Sequence, residues 1–481
     1  MRKSLFGFIP LLLTPLLAAC DNGTGNGGAG GSAHAGGVSG TGGSAHAGGA
    51  SGTGGSTATG GHTTAASGGA VGSGGLSRGG AIGSGGTTAA GGTVSGGTAS
   101  GGTLGSGGMV ATGGKLGSGG TLALGGSTGG GASGQLTPQE AVKLMAPGWN
   151  LGNSFDATPN ETTWGNPTHT QTIVNAVHAA GFKTLRLSVT WTDHIGAAPS
   201  YTIDSAWMGK VKQTAQWAID AGMYVFLNTH HEADGGGTGW VTFPSTTAAA
   251  QNVATEVTAV WAQIATTFKA FDSHFMFECF NEPNYAGTNN AQSQADLNLY
   301  LEACFKAIRD TGGANATRIV MIQPIGASPN QAGIQSIQKV SFINDPNLVI
   351  SLHTYYPTNF GLSTTPYAWG SASDYTSMQN SISQQLRVWL PTQVIFIGEW
   401  GSMAAQPAAN RAAHALAYAQ DTTTAGIVPL WWDNGGSGNE SFSLFDRSSG
   451  AVTQSAIVTG IMTGVKNGLT APNTWAVPAN P

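Results

Sequence analysis

The sequence has little charge, and the charge is not concentrated in any one region. Of its 481 residues, 18 are lysine or arginine and 23 are aspartate or glutamate, which gives a formal net charge of -5 at pH 7. No segment carries the basic stripe with which proteins neutralise nucleic acid phosphates. We therefore expect no nucleic acid partner.

Cysteine is also scarce. The chain contains three cysteines, too few for the disulfide framework of a small secreted scaffold. Cys20 belongs to an N-terminal leader, whereas Cys279 falls in a predicted strand and Cys304 in a predicted helix. Because unpaired cysteine behaves as a small apolar side chain, the sequence predicts that Cys279 and Cys304 are buried free thiols.

Motifs for nucleotides and metals are missing as well. The glycine run at residues 235–237 follows a predicted strand, but no helical pattern begins directly after it, so it does not form a phosphate-binding loop. No His-Glu-x-x-His helix is present. The group His230-His231-Glu232 leaves a metal-dependent barrel hydrolase open as an alternative, although its strand lacks an alternating His-x-His pair. We expect no cofactor and no metal.

The N-terminal apolar stretch is too short to span a membrane. It runs from Leu5 to Leu17, is interrupted by proline and follows a basic start, as in a secretory signal peptide. Residues 17–20, Leu-Ala-Ala-Cys, resemble a bacterial lipobox, which implies cleavage before Cys20 and acylation of its thiol; an ordinary signal cleaved near Ala19 is the alternative. We predict a lipoprotein signal peptide over residues 1–19, and an exported protein held at the membrane surface by a lipid anchor on Cys20.

Residues 20–134 consist almost entirely of glycine, serine, threonine and alanine. An imperfect repeat begins at Ser32 and again at Ser44. Such a segment buries too little apolar surface to offset the entropy lost on ordering, so we predict a disordered linker. A glycine-rich coil of this length spans about 60 Å. All 13 tryptophans lie beyond it, which assigns residues 135–481 to the folded domain.

The folded domain alternates short apolar strands with amphipathic helical patterns. Eight strands are predicted, at residues 148–153, 184–191, 223–231, 275–281, 318–323, 348–355, 394–399 and 427–432. Helices are predicted between them, including residues 171–180, 331–340, 375–390 and 408–421, and a last helix is predicted at residues 456–466. Continuous apolar strands of this kind form parallel sheets covered by helices. Eight repeats favour a single (β/α)8 barrel.

Two glutamates follow apolar strands in this pattern. The fourth strand runs into Asn281-Glu282-Pro283, and the proline stops the strand because it has no N–H to donate. The seventh runs into Gly398-Glu399-Trp400. Barrels of this class place their chemistry at the carboxyl ends of strands, and paired carboxylates are what a glycosidase requires.

Seven segments in order resemble glycoside hydrolase family 5 of clan A. They are Asn150–Asn153, Leu185–Leu187, Leu227–His231, Phe280–Pro283, His353–Tyr356, Gly398–Gly401 and Trp431–Gly435. A further segment, Glu161–Pro167, resembles the endoglucanase and xyloglucanase branch of that family.

The resemblance implies retaining double displacement, with Glu282 as acid and base and Glu399 as nucleophile. It also implies roles for six substrate-binding or supporting residues. Arg186 and Tyr355 keep Glu399 ionised, Asn281 binds the sugar 2-hydroxyl, His230 and His353 position the acid and the sugar, and Trp432 forms an aromatic floor. Trp149, Trp164 and Trp240 stay open between cleft platforms and rim packing, and His231 is expected to be a packed histidine.

The sequence thus predicts a retaining endo-β-1,4-glucanase that acts as a monomer. The expected substrates are cellulose, mixed-linkage glucan or xyloglucan. A xyloglucanase, lichenase or mannanase with the same mechanism remains open, because loop shape decides among β-1,4-linked polymers. A non-catalytic glucan-binding lipoprotein of the cell surface is the alternative from another class.

Overall fold

The computed structural model describes residues 136–235 and 239–472. The predicted signal peptide, Cys20 and the glycine-rich linker lie outside the described residues. Within them, eight parallel strands pair in sequence order, and the last pairs with the first, so that the sheet closes into a barrel. The predicted (β/α)8 barrel is confirmed.

The strands are short and almost completely buried. Their bounds are β1 Gly148–Leu151, β2 Thr184–Leu187, β3 Tyr224–Asn228, β4 Phe275–Glu278, β5 Val320–Ile322, β6 Leu348–His353, β7 Ile395–Trp400 and β8 Ile427–Asp433. One side of each strand fills the barrel and the other packs on helices, which explains why the strands read as continuous apolar runs.

The helices surround this barrel. They are α1 Pro138–Leu144, α2 Gln171–Ala179, α3 Ser205–Asp220, α4 Thr247–Phe268, α5 Ala291–Asp310, α6 Gln331–Ile337, α7 Thr358–Gly361, α8 Ala372–Gln379, α9 Gln385–Trp389, α10 Ala408–Thr424 and α11 Ser455–Thr470. The single helix predicted at residues 375–390 is α8 and α9 joined through a π-helical segment, Asn380–Gln384. In the described part of the chain, no helix combines the length and apolarity needed to cross a membrane.

The fourth strand ends earlier than predicted. The sequence placed its end at Asn281, but regular pairing stops at Glu278. Beyond it, the Phe280 N–H donates to the side-chain oxygen of Gln323 at 3.3 Å, and the Gln323 amide donates back to the Phe280 carbonyl. A side chain here replaces the backbone of the neighbouring strand, so Glu282 lies in the loop that follows β4.

The prediction of two free thiols is wrong. Cys279 and Cys304 form a disulfide, with Cα atoms 6.1 Å apart and both residues fully buried. The bond joins the exit of β4 to the buried face of α5. The sequence could not reveal it, because the two residues are 25 positions apart and meet only once α5 packs beside β4.

Candidate active site

A single arginine connects the residues at the carboxyl end of the barrel. Arg186 in β2 is fully buried. Its Nη1 donates to Asn150 Oδ1 at 2.9 Å and to Glu399 Oε1 at 2.8 Å, and its Nη2 donates to Asn281 Oδ1 at 2.8 Å. Its Nε donates to Glu278 Oε2 at 2.7 Å. A buried arginine is costly unless it is paired, and this one lies between two carboxylates.

Glu399 lies near the end of β7 and is held in its ionised form. Its second oxygen accepts a hydrogen bond from the Tyr355 hydroxyl at 2.8 Å. Burial opposes ionisation, but the charges of His353 and Arg186 and the hydrogen bonds from Tyr355 and Arg186 outweigh it and lower the pKa of Glu399. Burial and the two nearby glutamates raise the pKa of Tyr355 well above its usual value, so Tyr355 keeps its proton and remains a donor.

Glu282 lies in a contrasting environment. Its side chain is 26% exposed, and one oxygen lies 2.8 Å from His353 Nδ1. Burial raises the pKa of Glu282, the charges of Glu399 and Asp234 add to the rise, and the hydrogen bond with His353 opposes it. The site therefore holds two carboxyl groups whose pKa values are displaced in opposite directions.

The two carboxyl groups lie close together. Oxygen atoms of Glu282 and Glu399 and a ring nitrogen of His353 all lie within 4.8 Å of one another. Retaining glycosidases have carboxyl groups about 5–5.5 Å apart, whereas inverting enzymes have about 6.5–9.5 Å, the room for a water molecule. The bound of 4.8 Å between one oxygen of each group is shorter than the inverting range. The register of β7 shifts against both of its neighbours around Glu399, which is how irregular pairing redirects a side chain beside a site.

His230 is neutral and presents an N–H group. The Asn228 side chain donates to His230 Nδ1 at 3.2 Å, which leaves the ring proton on Nε2. Burial and the charges of His231 and Arg186 keep the pKa of His230 well below its usual value. Its ring stacks on Trp432 with centroids 5.8 Å apart and an angle of 10° between the ring planes.

The two tryptophans of β8 face opposite sides of the sheet. Trp432 is half-buried, and a Cβ atom at Gly152 would lie 2.7 Å from its ring, so the glycine leaves room for the indole. Trp431 is fully buried, and its ring N–H donates to the Phe442 carbonyl at 2.8 Å. Trp149, for which a cleft position was open, is also fully buried and donates its ring N–H to Asp433.

Trp164 is the exposed aromatic of the loop after β1. It is 44% exposed, and its ring centroid lies 5.5 Å from that of His231. Upstream, Glu161 pairs with Lys210 at 2.8 Å and His169 at 3.2 Å, contacts that outweigh burial and lower the pKa of Glu161 to about 2. Downstream, the Asn166 side chain donates to two main-chain carbonyls, one after β1 and one after β8. The segment that carries Trp164 is thus anchored at both ends.

Sequence reasoning missed the buried carboxylate of Glu278. Glu278 at the end of β4 is fully buried and, besides Arg186, accepts hydrogen bonds from Asn228 at 3.0 Å and Ser351 at 2.6 Å. A signal was available, because a charged residue inside an apolar strand requires a partner, and both Arg186 and Glu278 lie in such strands.

A second cluster offers atoms with metal-ligand chemistry. Asp156, His230 and His231 bring ligand atoms within 4.8 Å of one another. The Asp156 oxygens accept main-chain N–H groups, however, and His231 Nδ1 lies 2.6 Å from Asp234. Although burial opposes the charged form, Asp234 raises the pKa of His231 to about 9. The geometry favours a packed, charged histidine over a metal ligand.

Comparison with known families agrees with this geometry. The family model of cellulase, glycosyl hydrolase family 5, matches residues 150–438. The chain belongs to glycoside hydrolase family 5. It is 36% identical over 328 residues to endoglucanase B of Clostridium cellulovorans, covering 65% of this chain and 72% of that protein.

Solved structures of the family superpose on this chain. A GH5-4 broad specificity endoglucanase from Ruminococcus champanellensis with bound cellotriose has a TM-score of 0.63 and 30% identity, and covers 69% of this chain and 99% of that one. A family 5 xyloglucanase from Paenibacillus pabuli, in complex with ligand, has a TM-score of 0.60 and 30% identity, and covers 67% and 99%. The protein is a glycoside hydrolase of the endo-β-1,4-glucanase type.

Replacing Arg186 by methionine tests the pairing of buried charges. The change leaves Glu278 and Glu399 without their counter-charge, so at neutral pH we expect the free energy of unfolding to fall by about 3–5 kcal/mol. Denaturant unfolding followed by circular dichroism measures this. Lys306→Met is the matched control, because it breaks an exposed pair with Asp310 and should change little. Equal stability of the two variants would refute the charge-pairing argument.

Proposed function

We propose that this glucanase acts by retaining double displacement, with Glu399 as nucleophile and Glu282 as acid and base. The opposite displacement of their pKa values within a short separation carries the proposal. The Glu399 carboxylate attacks the anomeric carbon while Glu282 gives its proton to the departing glycosidic oxygen. Glu282 then takes a proton from water, which attacks the same carbon and releases Glu399.

The surrounding side chains suit this reaction. Asn281 Oδ1 is occupied by Arg186, so we assign the amide nitrogen of Asn281 to the sugar 2-hydroxyl, a contact that strengthens as positive charge develops on the ring. The His230 Nε2–H is assigned to another hydroxyl, and the half-buried face of Trp432 to the sugar ring. His353 orients Glu282 through their 2.8 Å contact.

Alanine at either glutamate should remove most activity on polysaccharide without unfolding the barrel. An aryl cellobioside with a good leaving group separates the roles, because its departure needs no proton. Glu282→Ala should still release the aryl group and then stall, whereas Glu399→Ala should not. Glu302→Ala, which removes a half-buried glutamate of α5 bonded to Ser341, is the control. Turnover like the wild type by Glu399→Ala would rule out the nucleophile assignment.

We infer that the substrate is a β-1,4-glucan bound along the carboxyl face of the barrel. The relatives support a β-glucan, since one is solved with cellotriose and another is a xyloglucanase. Trp164 is exposed beside His231, on a loop anchored at both ends, and suits stacking on a glucosyl unit beyond the cleavage point. Cellulose, mixed-linkage glucan and xyloglucan share the required backbone. The second candidate, a preference for xyloglucan, keeps the mechanism and changes only the loop contacts.

Release of reducing ends from a panel of soluble polysaccharides tests the substrate. We expect cleavage of carboxymethylcellulose and barley glucan, with first products of β configuration by NMR. Mannan and xylan are the negative controls. Higher kcat/KM on xyloglucan would favour the second candidate, and preference for mannan would refute a glucan substrate.

We further propose that the enzyme is an exported lipoprotein that acts as a monomer, tethered through Cys20 and the glycine-rich segment of residues 20–134. The buried disulfide supports export, because disulfides form in oxidising compartments. The tether would let the barrel reach polymer while its lipid stays in the membrane.

Cys20→Ala in the full chain, expressed with its own leader in a bacterial host, tests the anchor. The wild type should incorporate labelled palmitate and sediment with membranes, whereas the variant should be unlabelled and remain soluble. Cys304→Ala, which removes a cysteine of the buried disulfide instead, should be labelled like the wild type. An unlabelled wild type would refute acylation.

A further inference from the structure

A third carboxylate lies beneath the two glutamates and has no step in the proposed reaction. Glu278 is fully buried and accepts hydrogen bonds from three side chains: Arg186, Asn228 and Ser351. Two of these partners in turn contact residues of the site. Arg186 continues to Glu399 and Asn281, and Asn228 continues to His230.

We propose that Glu278 is a positioning residue whose negative charge sets the pH range in which Glu282 and Glu399 work together. It shares the Arg186 guanidinium with Glu399 and fixes that guanidinium through its Nε atom. The inference rests on the proposed roles of Glu282 and Glu399, and it assigns a function to a residue that touches neither the sugar nor the reacting atoms.

The charge balance of the barrel interior gives the physical reason. Arg186 carries one positive charge and contacts two carboxylates, so the three groups together carry a net charge of -1. Without Glu278 the balance would be zero, and Glu399 would face the full guanidinium charge. A carboxylate held too strongly in its ionised form is a poorer nucleophile. If the ionised form of a nearby acid is stabilised in the same way, the acid loses its proton at a pH below the working range.

The groups that contact Glu278, and the titratable groups of the site beyond them, come from several elements. Arg186 lies on β2, Asn228 and then His230 on β3, and Ser351 and His353 on β6. Glu399 follows on β7, Glu282 lies on the loop after β4 itself, and Asp234 lies on the loop after β3. Asn150 on β1 contacts the same guanidinium, and β5 contributes Met321 beside Glu278. Of the charged groups, only Arg186 contacts Glu278 among the described residues.

The hydrogen bonds of Glu278 allow its charge to be removed without losing a contact. Arg186 Nε and the Asn228 amide can only donate, and both point to the same oxygen, Oε2. The Ser351 hydroxyl points to Oε1 and can accept as well as donate. In Glu278→Gln, the new carbonyl oxygen accepts the first two hydrogen bonds, and the new NH2 group donates to Ser351. The variant therefore changes charge at constant shape.

The direction of the effect follows from the charge. Loss of a negative charge stabilises the ionised forms of both Glu399 and Glu282, so the pKa of each should fall. The acidic limb of the kcat/KM profile reports Glu399 and the alkaline limb reports Glu282, so both limbs should move to lower pH. At the effective dielectric of buried protein sites we expect a shift of about one pH unit.

Profiles of kcat/KM against pH on barley glucan, measured on the full chain, test the proposal. Glu278→Gln should move the whole bell-shaped profile, the bell, to lower pH. Ser351→Ala removes a hydrogen bond without changing charge and should leave the bell in place. Asp345→Asn removes the carboxylate of another arginine pair, with Arg309 near the start of β6, and should also leave it in place.

The alternatives give different results. If Glu278→Gln lowers activity while both limbs stay at the wild-type pH, its role is only structural and the proposal is overturned. If Glu278→Gln does not fold, Glu278→Asp keeps the charge and should keep the bell in place at reduced activity; a displaced bell in that variant would also overturn the proposal. Failure of the proposed function is distinct, because it would appear as active Glu399→Ala or Glu282→Ala enzyme.

Discussion

The positive charge of Arg186, fully buried inside the barrel, is the constraint on which the rest of the site depends. A guanidinium at this depth requires carboxylates, and each of its three nitrogens donates to at least one side chain. Asn150 and Asn281 are oriented by it, so their remaining amide N–H groups have defined directions. The amide of Asn150 donates to the carbonyl of Gly398, directly before Glu399. One cation thereby orders side chains from β1, β4 and β7 at once.

The barrel makes this arrangement possible because parallel strands deliver alternate side chains to one interior. Asn150 pairs in register with Arg186, and Asn228 with Glu278, so neighbouring strands place polar groups at matching heights. Departures from regular pairing occur beside the two glutamates. The register of β7 shifts around Glu399. After β4, the backbone of Phe280 bonds to the side chain of Gln323 in place of a neighbouring strand. Regular strands supply rigidity, and their irregular ends set the orientation of the two glutamate side chains.

The sequence predicted the barrel and the convergence of its motifs because both depend on local patterns. Apolar runs alternating with amphipathic helices specify the layers, and short motifs at the ends of strands indicate the reactive face. What it could not predict depends on packing between distant segments. The bond between Cys279 and Cys304 requires the placement of α5, and the early end of β4 requires Gln323, the residue directly after β5. Trp149 is an aromatic residue of the kind that lines sugar-binding clefts, yet it is fully buried in the barrel, where its ring N–H donates to Asp433. Glu278 is different, because its position in an apolar strand is visible in the sequence. Only its contact with Arg186 required the structure.

Pairing of buried charge also fixes the loop after β1, where it holds a side chain in place and does not tune proton affinity. Around Arg186, buried charges set proton affinities. Around Glu161, a buried carboxylate with a pKa of about 2 stays ionised throughout the range in which a glycosidase works, so its pair with Lys210 acts as a permanent anchor. Asn166 supplies the second anchor through uncharged hydrogen bonds. Trp164 between them is therefore fixed before substrate arrives, and stacking on a sugar costs little loop entropy. A rigid platform of this kind selects for the shape of the polymer backbone, while tolerance of side branches depends on the space around it.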